Sequence, residues 1–104
     1  MVKYILQLFF LLLFNSSYSQ VVLTGYIEEE GSGERLPYSN VYVSELEIGS
    51  SANENGYYTL IGEIKSGMTL KASYVGYKTQ NIILTDDMLN GNLVISLTAL
   101  TSTL

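Results

Sequence analysis

The stretch VVLTGYIEE, residues 21–29, carries the clearest structural pattern in the sequence. Apolar or small residues occupy every second position from Val21 to Ile27, and the positions between them are more polar. A period of two places successive side chains on opposite faces of an extended chain. The stretch is therefore predicted to be a β-strand with one buried face.

The same alternation recurs along the rest of the chain, and the pattern of a helix does not. We predict seven short strands, at residues 21–29, 40–44, 49–52, 57–61, 69–75, 77–84 and 93–97. Many short strands separated by turns are typical of an antiparallel β-sandwich or a small barrel. One helical turn is expected at residues 86–89, with Thr85 as its cap.

Turn residues lie between the predicted strands. Asn55-Gly56 is the strongest pair, because both residue types tolerate positive φ, which a two-residue type I′ hairpin turn requires. It predicts a hairpin between the strands at 49–52 and 57–61. Pro37 precedes a strand, where its missing N–H costs no ladder hydrogen bond.

The N-terminal segment differs from the rest in composition. Lys3 gives a positive start, residues 4–14 are almost entirely apolar, and residues 15–19 are mostly small and polar. This order is typical of a secretory signal peptide, and the apolar run is too short to span a bilayer comfortably. A signal-peptide helix is predicted over residues 1–19, with cleavage between Ser19 and Gln20.

Composition limits the classes of partner. The chain has 10 acidic and 5 basic residues and a net charge of −5. Such a surface repels phosphate backbones and anionic lipids, so we expect no nucleic-acid partner. The absence of cysteine argues against a disulfide-rich extracellular scaffold and suits a bacterial envelope protein.

Composition also limits the chemistry. There is no histidine and no cysteine, which removes the usual general base, the thiol nucleophile and most transition-metal ligands. Glu28, Glu29 and Glu30 are consecutive, and neighbours on a strand face opposite sides, so they are interpreted as a solvated strand end. We predict a protein that is not an enzyme, with no catalytic residue, no cofactor and no metal.

Two weaker patterns have alternative interpretations. Ser51, Asn53 and Asn55 have the spacing of a calcium loop, but the strong anionic ligands at its first and last positions are missing, so a turn is favoured. Seven tyrosines lie in or beside strands: Tyr26, Tyr38, Tyr42, Tyr57, Tyr58, Tyr74 and Tyr77. They are either a stacking platform for a sugar or protein, or ordinary strand residues, and strand propensity favours the second.

Four segments together resemble a known family: LTGYIEEEGSGERLPYSNVYV, IGSSANENGYYTL, LKASYVGYKTQNIIL and LVISL. In this order they are similar to the carboxypeptidase-regulatory-like domain. The resemblance implies a seven-stranded, transthyretin-like β-sandwich over residues 20–98, followed by a tail or linker at 99–104. Tyr58 stands where the family commonly has Phe, and Ser39 where it commonly has Ala.

Several residues within these segments have structural roles that follow from their type. Gly25 should let another strand or loop approach closely, and Asn40 is expected to hydrogen-bond a neighbouring turn. Gly56 supplies a positive φ. Tyr74 is expected to pack inward, and a bend at Gly76 should place Tyr77 over the edge of the sandwich. The resemblance carries over no catalytic or ligand-binding residue.

The resemblance also implies a context. In Bacteroidetes, such a domain directly after a signal peptide usually begins a TonB-dependent outer-membrane receptor, ahead of the plug and barrel. We therefore expect an exported accessory domain in the periplasm or at the outer membrane, which contacts an envelope protein and reaches the membrane only through a downstream barrel. The alternative is a free-standing secreted adhesion or glycan-binding module.

Overall fold

A computed structural model describes residues 20–101 of the chain. The predicted signal peptide and its Ser19 cleavage position lie outside the described residues. Among those described, no helix has the length and apolar character needed to cross a membrane. Seven strands are present: β1 (Val21–Glu29), β2 (Asn40–Val43), β3 (Ile48–Ser51), β4 (Tyr57–Gly62), β5 (Thr69–Ser73), β6 (Gln80–Ile83) and β7 (Ile95–Leu97).

The strands form two sheets that pack as a β-sandwich. One sheet has the order β4-β1-β7 and the other has the order β3-β2-β5-β6. The predicted all-β sandwich is confirmed. The expectation that every pair is antiparallel is wrong for β1 and β7, which run parallel. The reason is the connection after β6, which carries the chain into the other sheet so that β7 enters in the same direction as β1.

The core lies between the sheets and is built by the predicted alternation. Leu23 and Ile27 of β1 are fully buried, as are the inward residues of β2, β5 and β7. The buried apolar set from those three strands is Val41, Val43, Leu70, Ala72, Ile95 and Leu97. Burial of apolar surface on this scale is the main stabilising contribution in a domain of this size.

The predicted hairpin between β3 and β4 is wrong, because the two strands belong to different sheets. β4 pairs instead with the first two-thirds of β1, from Val21↔Gly62 to Tyr26↔Tyr57. The turn before β4 is not type I′ either, since Gly56 has φ 75° but Asn55 does not have a positive φ. The Gly56 N–H donates to the Asn53 carbonyl at 3.0 Å, and the Asn53 side chain holds the rest of the turn.

The segment around β6 also differs from expectation. Strand pairing begins at Gln80, because the preceding residues pair with the end of the chain: Lys78 N–H donates to the Thr98 carbonyl, and Leu100 N–H to the Gly76 carbonyl. Residues 99 and 100, assigned above to a tail, therefore contact the segment that precedes β6.

The expected helical turn is a 3₁₀ helix at Met88–Asn90. Asp87 occupies its N-cap position and makes no side-chain cap bond, so the predicted Thr85 cap is wrong. Thr85 contributes through its backbone, whose carbonyl accepts from Met88 N–H at 3.1 Å.

Candidate functional site

Four of the six side chain–side chain hydrogen bonds among the described residues involve the glutamates at the C-terminal end of β1. Glu28 accepts from Arg35 Nη1 at 2.7 Å, and Glu30 accepts from the Thr98 hydroxyl at 2.7 Å. Glu29 lies between them and bonds Ser32 and Tyr77. The glutamates thus diverge, as the strand alternation requires, but they are not simply solvated: each one fastens a different segment to β1.

The Glu29–Tyr77 contact joins the two sheets. The Tyr77 hydroxyl donates to Glu29 Oε2 at 2.5 Å, and Tyr77 follows the turn that leads into β6. This hydrogen bond is the main reason that the pKa of Tyr77 is raised to about 12, since it stabilises the protonated phenol beside a carboxylate. The same bond, assisted by Ser32, lowers the pKa of Glu29. Both shifts favour the native contact at neutral pH.

Arg35 covers an aromatic pair on the outer face of the three-stranded sheet. Tyr26 and Tyr57 are cross-strand partners with an edge-to-face ring geometry at 5.1 Å. The Arg35 guanidinium lies 3.8 Å from the centre of the Tyr26 ring while it also pairs with Glu28. A ring face covered in this way has no room for a stacked sugar. Tyr42 lies on β2 in the other sheet, so the exposed tyrosines do not form one platform.

In the middle of β1, the backbone of Leu93 approaches Gly25 closely. A Cβ on Gly25 would overlap the Leu93 carbonyl, so only glycine fits there. The same carbonyl accepts a 2.6 Å hydrogen bond from the hydroxyl of Tyr58, which is fully buried in the core. Sequence reasoning missed this role of Tyr58, although its alternation with Leu60 along β4 could have placed it inside.

The remaining predicted motif residues are spread through the fold. Asn40 accepts from the Ser51 hydroxyl at 2.8 Å, so its partner lies on the adjacent strand β3 and not in a turn. Pro37 precedes Tyr38, whose positive φ of 63° turns the chain sharply just before β2. Tyr74 is partly buried, with its ring 5.5 Å from the Tyr77 ring, and Gly76 has φ 88° at the turn between them.

The turn with calcium-like spacing uses its oxygens internally. Asn53 Oδ1 accepts from the backbone N–H groups of Asn55 at 2.9 Å and Tyr57 at 3.0 Å. The Ser51 hydroxyl is directed to Asn40. Neither side chain presents a free oxygen toward a common point, so the geometry is that of an Asx-type turn.

No pocket is present among residues 20–101, which also contain no group of three or more acidic, histidine or cysteine side chains able to hold a metal ion. Across the described part of the chain, every buried side-chain polar atom has a hydrogen-bond partner. At the end of β1, the polar groups of the glutamates link other segments to the strand through their bonds to Arg35, Tyr77 and Thr98.

Comparison with known proteins identifies one family model that matches most of the chain. The family model described as the CarboxypepD_reg-like domain matches residues 23–103. A search of curated proteins finds no match.

Proposed function

Since the chain belongs to the family of carboxypeptidase regulatory-like domains, we propose that it is an exported accessory domain of a TonB-dependent outer-membrane receptor, acting through contacts with other proteins. The family match fits a non-catalytic accessory domain. The proposal adds two statements to what the family match gives: the domain is attached to a receptor, and it is located in the cell envelope.

One observation carries the non-catalytic part of this proposal. The family match covers the described sandwich apart from its first residues, and each glutamate at the end of β1 bonds a side chain from a different segment. The carboxylates of a general acid–base site converge on the reacting group, whereas these glutamates diverge toward separate partners. Glu28, Glu29 and Glu30 have partners already, which favours a scaffold role.

The receptor context rests on the N-terminal sequence. A positive start, an apolar run and a small polar end precede the sandwich directly, as expected for an export signal. A domain placed there would stand in the periplasm, where its acidic surface keeps it soluble and its contacts would be with protein.

Fractionation of the producing cells tests the receptor context. An epitope tag inserted in the exposed 31–33 loop would mark the native gene product without touching a strand. We expect a tagged species much larger than 11.5 kDa in the outer-membrane fraction. A domain-sized tagged species in the culture medium would contradict the receptor and support the free-standing secreted module.

The mature N-terminus tests export separately. Mass spectrometry of the tagged envelope protein should find Gln20, intact or cyclised, as its first residue. Recovery of peptides that contain Met1 from the envelope form would contradict signal cleavage, whatever the size of the protein.

A further inference from the structure

β6 is an open edge of the four-stranded sheet. It lies at the end of the strand order and pairs only with β5, from Thr69↔Ile83 to Ala72↔Gln80. Within residues 20–101, Gln80 to Ile83 make no backbone hydrogen bond to any other segment. About half of the N–H and C=O groups of such an edge point away from the sheet and can pair with a further strand.

The strands at the other sheet edges are less accessible to an added strand. β3 packs against β4 at the corner between the sheets, where Ile48 lies against Gly62. β7 has three residues, and the chain directly after it pairs with residues 76–78. β6 contains neither proline nor a charged residue, and Ile83 is 68% exposed on it. Proline and charge, two of the devices that block strand addition, are therefore absent from β6 itself.

The surroundings of β6 are locally basic in an acidic protein. Residues 64–85 contain three lysines and no carboxylate, whereas all ten acidic residues lie elsewhere. Lys71 is the register partner of Asn81, and Lys78 comes two residues before β6. Among the described residues the only salt bridge joins Arg35 to Glu28, so these lysines have no ion-pair partner there.

The lysines are not confined to one end of the edge, since Lys65 lies in the turn whose Gly67 N–H donates to the carbonyl of Leu84, directly after β6. Glu45, which accepts from the Thr69 N–H at 2.8 Å, follows β2 on the side of β5 that faces away from β6. An added strand would therefore meet lysine near Gln80 and an exposed isoleucine near Ile83. A strand that carries both acidic and apolar side chains complements this arrangement.

We propose that the β6 edge is a docking surface for an extended acidic segment of a partner protein, which adds a strand beside Gln80–Ile83. Backbone pairing supplies the contact, and Lys71 and Lys78 select the acidic sequence. The proposal rests on the proposed function, because it assumes that the domain works by contact with another protein.

Two blocked peptides of about eight residues, a usual strand length, test the surface. One alternates valine with glutamate and the other alternates valine with lysine. Titration of the isotope-labelled exported chain should give NMR shift changes at β6 with the glutamate peptide, and about tenfold weaker binding of the lysine peptide. Lys71→Glu combined with Lys78→Glu should reverse this preference.

Two matched isoleucine variants test whether the peptide binds at β6. Ile83→Asp should weaken binding of the glutamate peptide, whereas Ile61→Asp should not, since Ile61 is also an exposed isoleucine but lies on β4. Thermal melts verify that both variants fold. Equal affinity for the two peptides, or shift changes away from β6, would overturn the proposal.

Self-association at the same edge would give a different experimental result. If the edge serves self-association, sedimentation of the exported chain will show a dimer that Ile83→Asp dissociates, and the acidic-partner proposal is then wrong. None of these results depends on the size of the native gene product. The receptor context is tested separately, by the fractionation experiment.

Discussion

The end of β1 and the edge at β6 use their polar groups in opposite ways. At the end of β1, three consecutive glutamates bond Arg35, Tyr77 and Thr98, which lie far apart in sequence. At β6, Lys71 and Lys78 remain unpaired among the described residues, and the strand has a partner on one side only. The difference indicates that the first region maintains the fold and that the second is available for contact.

Replacement of Gly25 should cause the largest loss of stability. In Gly25→Ala the new Cβ meets the Leu93 backbone, which also anchors Tyr58, and the strands cannot separate without losing that bond. We expect a loss of about 3 kcal/mol or more in the free energy of unfolding, at the upper end for overpacking. Chemical denaturation followed by circular dichroism would measure it.

Gly67→Ala is the matched control for that variant. Gly67 has φ 92° but open space around it, so the substitution costs only backbone strain of about 1–2 kcal/mol. Equal losses in the two variants would mean that the close approach at Gly25 is not what requires glycine.

Removal of the Tyr58 hydroxyl should have a smaller effect. Tyr58→Phe keeps the buried ring but leaves the Leu93 carbonyl without this donor, for an expected loss of about 1 kcal/mol. The thermal midpoint should fall while the cooperativity of melting is kept. A gain in stability would show that the hydroxyl is merely tolerated in a core that prefers phenylalanine.

The Tyr77–Glu29 contact should give a pH dependence. A pKa raised from 10.0 to about 12 in the folded state stabilises the fold fully below pH 10, and this contribution is lost as the pH rises toward 12. Tyr77→Phe should therefore show a shallower fall in thermal midpoint between pH 10 and 12 than the natural chain.

Buried Tyr58 also ionises with difficulty, because burial raises its pKa, so only the difference between the two chains isolates Tyr77. Identical alkaline profiles would contradict a role for the Tyr77 hydroxyl in joining the sheets.

The smallest effect is expected at β6. Ile83→Thr replaces an exposed β-branched residue with a polar one of similar strand propensity, so stability should stay within about 0.5 kcal/mol. Denaturation under the same conditions as for the Gly25 variant would test this. A loss comparable to that at Tyr58 would mean that Ile83 packs on the domain and is not a free contact residue.

The sequence allowed the fold to be predicted where local pattern decides it. Alternation of apolar residues placed Leu23, Val41 and Leu70 correctly inside, because the side-chain period of a strand is a local property. The pairing of β4 with β1 was not predictable from the Asn55-Gly56 turn. Which sheet a strand joins depends on contacts that are distant in sequence.

The candidate site was less predictable for the same reason. The bonds from Glu29 to Tyr77 and from Glu30 to Thr98 cross 48 and 68 residues, respectively, and no spacing rule relates them. The type I′ prediction failed because the Asn53 side chain stabilises a different turn, in which only Gly56 needs a positive φ.

Hydrogen exchange of a chain that spans residues 20–104 tests the contrast between the two regions most directly. Amides of β1, which has strands on both sides, should exchange only through global unfolding, while the outward-facing half of the β6 amides should exchange orders of magnitude faster. Addition of the glutamate peptide should slow exchange at β6 alone. Equal protection of β1 and β6 in the free chain would contradict an open edge.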